Sequence, residues 1–340
     1  MNVVDALPLV TPAEREAILN APRTEDAHRS LLASLPAMNA VQCGGTPGRG
    51  ELPDTLSVFA WNAERCLFPS ESAENLAVKS PDIVLLSEVD HGMARTGQRH
   101  TAAETARGLG MTYAFGVEFY EIGLGGATEL TFCTEPFNER GWHGNAILSA
   151  VPFETVTMFR LDDHGHWFTP DFGADPEQPR VGGRNAIAAI IPWRNRRLCV
   201  VSTHLESNSD AEHRAVQFDR LMDCIDRFAP DIPVLIGGDL NTGNRNPPTY
   251  GWQDEPLFAR AEARGYDWSF TAQGMTTRPS LITPHPTRKM KLDWFCARGL
   301  HCLDKAVHPA LASDGRALSD HDAVWTEVSL SSKQPKWNSD

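Results

Sequence analysis

Asp239 and Asn241 stand two residues apart at the end of Pro233-Val234-Leu235-Ile236-Gly237-Gly238. On an extended backbone side chains alternate with period two, so carboxylate and carboxamide point the same way. Such a pair suits a hydrated metal, a phosphate or an attacking water. Six more clusters carry groups of the same kind. Asn62 and Glu64 follow Trp61, and Glu88 and Asp90 follow Val84-Leu85-Leu86-Ser87. Asn145 opens Asn145-Ala146-Ile147-Leu148, and His204 and Glu206 close Val200-Val201-Ser202-Thr203. Asp293 sits in Lys291-Leu292-Asp293-Trp294-Phe295, and Asp320 and His321 precede Ala323-Val324. A lone strand-end Asp or Asn is a turn or cap residue more often than a catalyst. A succession of them at inferred strand ends asks for another explanation. The types are complementary: carboxylates for a hard cation, amides for phosphate oxygens, histidines for protons.

The elements that must position these groups follow from hydrophobic periodicity. Strands are expected over 56–61, 82–86, 113–118, 145–149, 185–191, 198–203, 233–236, 292–296 and 322–329. Helices are expected over 72–79 and 100–109, the latter stopped by Gly110. A long amphipathic helix is expected over 211–228, with Ala215, Phe218, Leu221, Met222 and Ile225 on one side. Helices and strands alternate first, then strands and long loops dominate. That order predicts an α/β fold with two packed sheets and helices outside. Residues 1–54 read as a helical extension. Thr11-Pro12-Ala13-Glu14 is a capping sequence that starts a helix running to about Asn20. A second helix covers 26–35, and the Gly- and Pro-rich stretch 42–53 reads as a linker. The main domain is expected over 55–330 and a polar tail over 331–340.

Composition narrows the partners. The chain has 340 residues, a formal net charge of −13 and 41% hydrophobic residues. That charge disfavours a broad nucleic-acid surface without excluding a nuclease. No run approaches the length of a membrane span, and the N-terminus lacks the pattern of a secretory signal. The seven cysteines include no CxxC pair, which points to reduced thiols and a cytoplasmic location. His164 and His166 flank a glycine, and a loop pair at i, i+2 without a third ligand reads as solvent-facing or substrate-lining. His143 precedes the Asn145 strand as a candidate pocket residue. Arg184, Arg278, Arg288 and Lys291 are the candidate cations for an anionic substrate.

Asn62, Glu88, Asn145 in Gly-Asn-Ala-Ile-Leu-Ser, His204 in Thr-His-Leu-Glu-Ser, Gly238-Asp239-Leu240-Asn241, Asp293 and Ser319-Asp320-His321-Asp322 occur in an order that resembles the endonuclease/exonuclease/phosphatase superfamily. The resemblance spans about residues 55–330. It implies a four-layer α/β sandwich, two packed mixed β-sheets flanked by helices, with the site at one rim. It also implies Mg²⁺ or Mn²⁺ as one or two ions, held by Glu88, Asn62 and Asp320. By the same resemblance Asp239 orients or deprotonates water, and Asn241 holds the scissile phosphate. His321, fixed by Asp293, stabilises developing charge. His204 is a second phosphate contact or the acid for the leaving group. Asn145, His143, Arg184 and Arg288 would shape the substrate pocket. The expected reaction is metal-dependent hydrolysis of a small, lipid-type or sugar-type phosphoester. Hydrolysis of DNA or RNA is the first alternative, and a non-phosphate substrate on the same site is the second.

Overall fold

The computed structural model describes residues 2–175, 178–245, 251–284 and 289–331. The first segment contributes β1 (Asn2–Val4), α1 (Pro12–Asn20), α2 (Glu25–Ser34) and β2 (Ala40–Gly45). Next come β3 (Thr55–Arg65), α3 (Pro69–Ala77), β4 (Ile83–His91), α4 (Thr101–Leu109), β5 (Thr112–Glu121), α5 (Ala127–Leu130) and β6 (Trp142–Ser149). They are followed by β7 (Thr155–Arg160), β8 (Arg180–Gly182), β9 (Asn185–Trp193), β10 (Arg196–His204), α6 (Ala211–Phe228) and β11 (Val234–Asp239). The last are α7 (Leu257–Ala263), β12 (Asp293–Arg298), β13 (Leu300–His308) and β14 (Ala323–Leu330).

These strands form two mixed sheets. The nine-stranded sheet runs β1-β2-β5-β6-β4-β3-β14-β13, with β8 on β5, and the five-stranded sheet runs β12-β11-β10-β9-β7. Alternation along single strands builds the layers. In β3, Val58 and Ala60 enter the core between the sheets, while Phe59 and Trp61 enter a core shared with the N-terminal helices. In β10, Val200 faces the other sheet while Val201 packs with Ala215, Phe218 and Met222 of α6. Three apolar cores thus separate helices, sheet, sheet and helices, and the expected sandwich is the observed fold. Gly237 lets the sheets approach, because a Cβ there would lie 2.9 Å from the Ala60 Cβ of β3 in the other sheet.

One sequence expectation changes. The linker expected over 42–53 begins as strand: β2 pairs parallel with β1 and antiparallel with β5, so the first residues extend the large sheet. Gly44 and Gly45 hid it, because glycine weakens the strand signal that Val41 and Gln42 begin. The capped α1 forms as expected, with the Thr11 and Glu14 side chains satisfying each other's backbone N–H.

Inside the first core, His91 and His100 stack at 3.8 Å between ring centroids, against Phe115. Burial, with the two rings and Arg140 repelling further charge, pushes His91 down to about 2, and burial with Arg140 pushes His100 to about 3. Folded-state values below the unfolded value mean that the unfolded chain binds more protons in acid. This stability is therefore complete above pH ~6.5 and is lost as pH falls toward 3, by up to about 1.4 kcal/mol per pH unit for each ring. His91→Phe keeps the stack and removes one titration. Its loss of stability between pH 7 and pH 5 in urea denaturation is expected to be smaller than that of the unmodified protein. Equal losses would contradict the assignment.

Candidate active site

Strand register brings the polar clusters to one rim. Parallel β3 and β4 place Asn62 beside Ser87, with Glu88 following. Parallel β10 and β11 pair His204 with Asp239, and antiparallel β12 sets Asp293 opposite the same Asp239. Asp320 and His321 arrive just before β14, where Trp61 Nε1 donates to the His321 carbonyl at 2.9 Å. The backbone departs from strand geometry here. Register shifts interrupt β3 after Asn62 and β4 after Leu86. Glu88 and Asn241 take φ of 54° and 52°, and Glu64, Arg65 and Cys66 are left-handed in succession at 43°, 74° and 56°. Non-glycine residues held there cost about 1–3 kcal/mol each and gather where a side chain must be re-aimed.

A polar cavity of about 190 Å³ opens at this rim, lined by Glu64, Glu88, Asp239, Asn241, Asp320 and His321. Arg65, His204 and Ser207 complete its polar wall. The Asp239 Oδ1 atom accepts from the Asn241 N–H at 2.8 Å, which leaves Oδ2 toward the cavity. There Oδ2 lies 3.7 Å from both His204 Nε2 and His321 Nε2. His321 Nδ1 donates to Asp293 Oδ2 at 2.7 Å, which fixes the ring and aims Nε2 into the site. Burial opposes the imidazolium, but Asp293, Asp320 and Asp239 together hold His321 well above the ordinary histidine range. His204 is also raised: burial and Arg184 oppose its charge, and Glu118 and Asp239 outweigh them.

Asn62 was expected to bind metal-linked water or a phosphate oxygen. Instead the Glu64 N–H donates to Oδ1 at 3.0 Å, and Nδ2 donates to Glu88 Oε1 at 3.1 Å and Asp239 Oδ2 at 3.0 Å. Asn62 therefore ties the two carboxylates together. The remaining Glu88 oxygen pairs with Arg65, whose Nε also bonds Glu129 at 2.9 Å. Burial would raise the Glu88 carboxyl, but Arg65 with His204 and His143 holds it well below the usual range. Glu64 goes the other way. Burial and the neighbouring Asp320 carboxylate push it up to about 7. Carboxylates crowded in this way make a donor set that suits a hard divalent cation, whose charge relieves their repulsion. Glu88 and Asp320 would hold such an ion, with Glu64 beside them.

Three expected pocket residues lie elsewhere. Asn145 is buried between the sheets, where its Nδ2 donates to Asn185 Oδ1 at 2.7 Å. His143 Nδ1 pairs with Asp90 Oδ1 at 2.8 Å, away from the cavity. Arg184 stands behind His204, bound to Glu118 and Glu206 at 3.2 Å each. Arg288 falls outside the described residues. Arg278 is paired with Asp322 at 3.0 Å, and Lys291 donates to the Ala272 carbonyl beneath Trp294. Arg65, Glu118 and Glu129 were missed by sequence reasoning. Glu118 had a signal: it is a charge inside the apolar run of β5, and it is fully buried.

Behind Glu88 lies a buried charge network. Arg95 bonds both Asp90 oxygens at 2.8 and 2.9 Å, and it reaches Glu121 at 2.8 Å and Glu129 at 3.0 Å. Arg95→Met would leave buried carboxylates without their main partner. The expected cost is about 3–5 kcal/mol of stability, read as a lower urea midpoint. A change below 1 kcal/mol would contradict the network's role.

The family model of the endonuclease/exonuclease/phosphatase family matches residues 59–321, the segment that carries every site element above. The chain belongs to this family. Its members are phosphoester hydrolases that generally depend on divalent metal ions. Solved structures agree on the fold. An endonuclease/exonuclease/phosphatase from Beutenbergia cavernae is 19% identical with a TM-score of 0.57, over 82% of this chain and 72% of that one. The human Nocturnin catalytic domain with bound sulfate is 17% identical with a TM-score of 0.56, over 83% and 96%. TDP2 of D. rerio with a single-strand DNA product is 16% identical with a TM-score of 0.53, over 82% and 100%. No curated protein matches the sequence. Among the described residues, no helix of this family member is long and apolar enough to cross a membrane.

Proposed function

We propose that the protein hydrolyses a small, lipid-type or sugar-type phosphoester with Mg²⁺ or Mn²⁺, by in-line attack of water. The observation that carries this reading is the disposition of groups across the cavity. Asp239 and His321 line it beside Glu88 and Asp320, whose carboxylates would hold the ion. When bound, the ion would neutralise the phosphate and polarise its P–O bonds. Asp239 Oδ2, held by Asn62, accepts the proton of the attacking water. His321 Nε2, held by Asp293, faces a non-bridging oxygen as negative charge grows there. Asn241 has one Nδ2 hydrogen committed to the Leu205 carbonyl at 2.9 Å, which leaves the other for the phosphate. His204 supplies a second contact or the proton for the departing oxygen.

The cavity accommodates a phosphate and little more, so the rest of the substrate extends outward. Arg184, Arg278 and Lys291 are engaged within the protein, which weakens the case for a basic track along a polynucleotide. Nuclease action is the second reading, favoured by the likeness to the DNA-bound TDP2 fold. The test is a panel of phosphodiesters, phosphomonoesters, plasmid and single-strand oligonucleotides, each with Mg²⁺, Mn²⁺ or EDTA. Metal-dependent turnover of the small esters with inert nucleic acid is expected. Salt-sensitive nicking without small-ester turnover would replace this reading by the second.

A further inference from the structure

A second cluster of metal-type side chains lies outside the catalytic cavity. One donor atom each from Asp162, His164 and His166 lies within 4.8 Å of the others. The sequence offered only the two histidines of the loop. The fold adds His213 from the first turn of α6, whose Nε2 is 3.6 Å from Asp162 Oδ2. Its ring centroid is 4.8 Å from that of His166 and 5.7 Å from that of His164. Carboxylate and imidazoles thus converge from the end of β7, the following loop and α6.

The donors are prepared for a ligand. Asp162 is 2% exposed and His166 is 6% exposed. His166 Nδ1 is buried without a hydrogen-bond partner among the described residues, and His213 Nε2 faces the Asp162 carboxylate at 3.6 Å. A buried polar atom left unpaired is costly, and here such a nitrogen shares a site with a buried carboxylate. Surrounding contacts orient the donors, as outer partners do at metal sites. The Gln217 amide donates to Asp162, and its oxygen accepts from the Glu206 N–H at 2.9 Å. Phe172 stacks on His166 at 4.2 Å. Gly165 lies between the two loop histidines with φ of 76°, and a Cβ there would come within 2.8 Å of the His28 ring. His28 fixes the loop from below. Its Nε2 accepts from the Gly182 N–H at 3.1 Å, so its Nδ1 is the donor to the Asp163 carbonyl at 3.1 Å.

We propose that Asp162, His164, His166 and His213 form a second metal site, distinct from the catalytic one, for a divalent cation of the Zn²⁺ class. Three imidazoles and one carboxylate are too rich in nitrogen for Mg²⁺ or Ca²⁺, and they match the tetrahedral preference of Zn²⁺ and its surrogate Co²⁺. The ion would staple the 161–169 loop to the start of α6. From that loop, Trp167 Nε1 donates to Glu206 Oε2 at 3.2 Å, and Arg184 Nε donates to the same oxygen at 3.2 Å. Arg184 in turn contacts His204 at 2.8 Å, so the staple braces one wall of the catalytic site from outside.

The test titrates Co²⁺ into full-length protein carrying Glu88→Gln and Asp320→Asn, which silences the catalytic ligands. One Co²⁺ per chain is expected, with visible bands of nitrogen-rich coordination that Zn²⁺ abolishes. His166→Ala with His213→Ala on that background should weaken Co²⁺ by more than about 100-fold, since outer-partner changes alone cost 10–100-fold. His164→Ala must weaken it as well, and its exposed position keeps misfolding from explaining the result. Circular dichroism checks that each variant is folded. Equal Co²⁺ affinity and an unchanged spectrum in the folded histidine variants would overturn the second site. The proposal then fails while the catalytic reading stands, because no catalytic group is altered between the compared proteins.

Discussion

Asp239→Asn is expected to lower kcat by about 10²–10⁴-fold, the range for losing a positioned general base. The substitution preserves shape and leaves an oxygen for the Asn241 N–H that now bonds Oδ1 at 2.8 Å. What it removes is the anionic oxygen between His204 and His321. One contact turns unfavourable, because the new amide hydrogens meet the Asn62 Nδ2 that donates to Oδ2 at 3.0 Å. Stability should therefore fall by about 1–3 kcal/mol, while the protein stays folded at room temperature. Paired measurement of kcat and the urea midpoint separates these effects. A kcat within tenfold of the unmodified enzyme would remove Asp239 from the chemistry.

His321→Ala is the second large effect, an expected loss of about 10²–10³-fold in kcat, the magnitude of removing a donor to developing charge. Its partner sharpens the reading. Asp293 is fully buried and lies at hydrogen-bond distance from His321 Nδ1. Asp293→Asn keeps the side chain's volume but weakens the field that holds the imidazole charged. A smaller loss is expected from it, together with a shift of the pH–rate profile. In the free protein His321 is raised, so its charged form persists above the ordinary histidine value and is lost as pH climbs further. Asp293→Asn removes one of the raising carboxylates, so the alkaline limb should move toward lower pH. An unchanged profile with an equal loss of kcat would mean that Asp293 serves packing alone.

The residues that the sequence made visible share one property. His204 and Asp239 end strands, Asp293 begins one and His321 stands just before one, and each of these strands is an apolar run strong enough to be read. The layered fold was legible for the same reason: Val200 and Val201, adjacent in β10, belong to different cores. Orientation of single amides was not legible. Asn62 turns its nitrogen inward because the Glu64 N–H takes its oxygen, a bond made by the left-handed turn after β3. Asn145 and His143 sit at a strand start like the site residues, yet their partners are Asn185 and Asp90 inside the fold. The strand β13 escaped because it is a largely exposed edge without a clean alternation. His213 escaped as a partner of His164 and His166 because only the docking of α6 brings it there.

We propose that Glu88, Asp320, Asp239 and His321 form one metal-dependent phosphoesterase site. The most direct measurement is the hydrolysis rate of a chromogenic phosphodiester by metal-stripped enzyme, titrated with Mg²⁺ and with Mn²⁺. In parallel the same titration is run on Glu88→Gln. No turnover is expected after stripping, with saturable recovery on adding metal, and for Glu88→Gln either no recovery or recovery at far higher metal concentration. Turnover that survives stripping, or a Glu88→Gln titration that overlays the unmodified one, would contradict it.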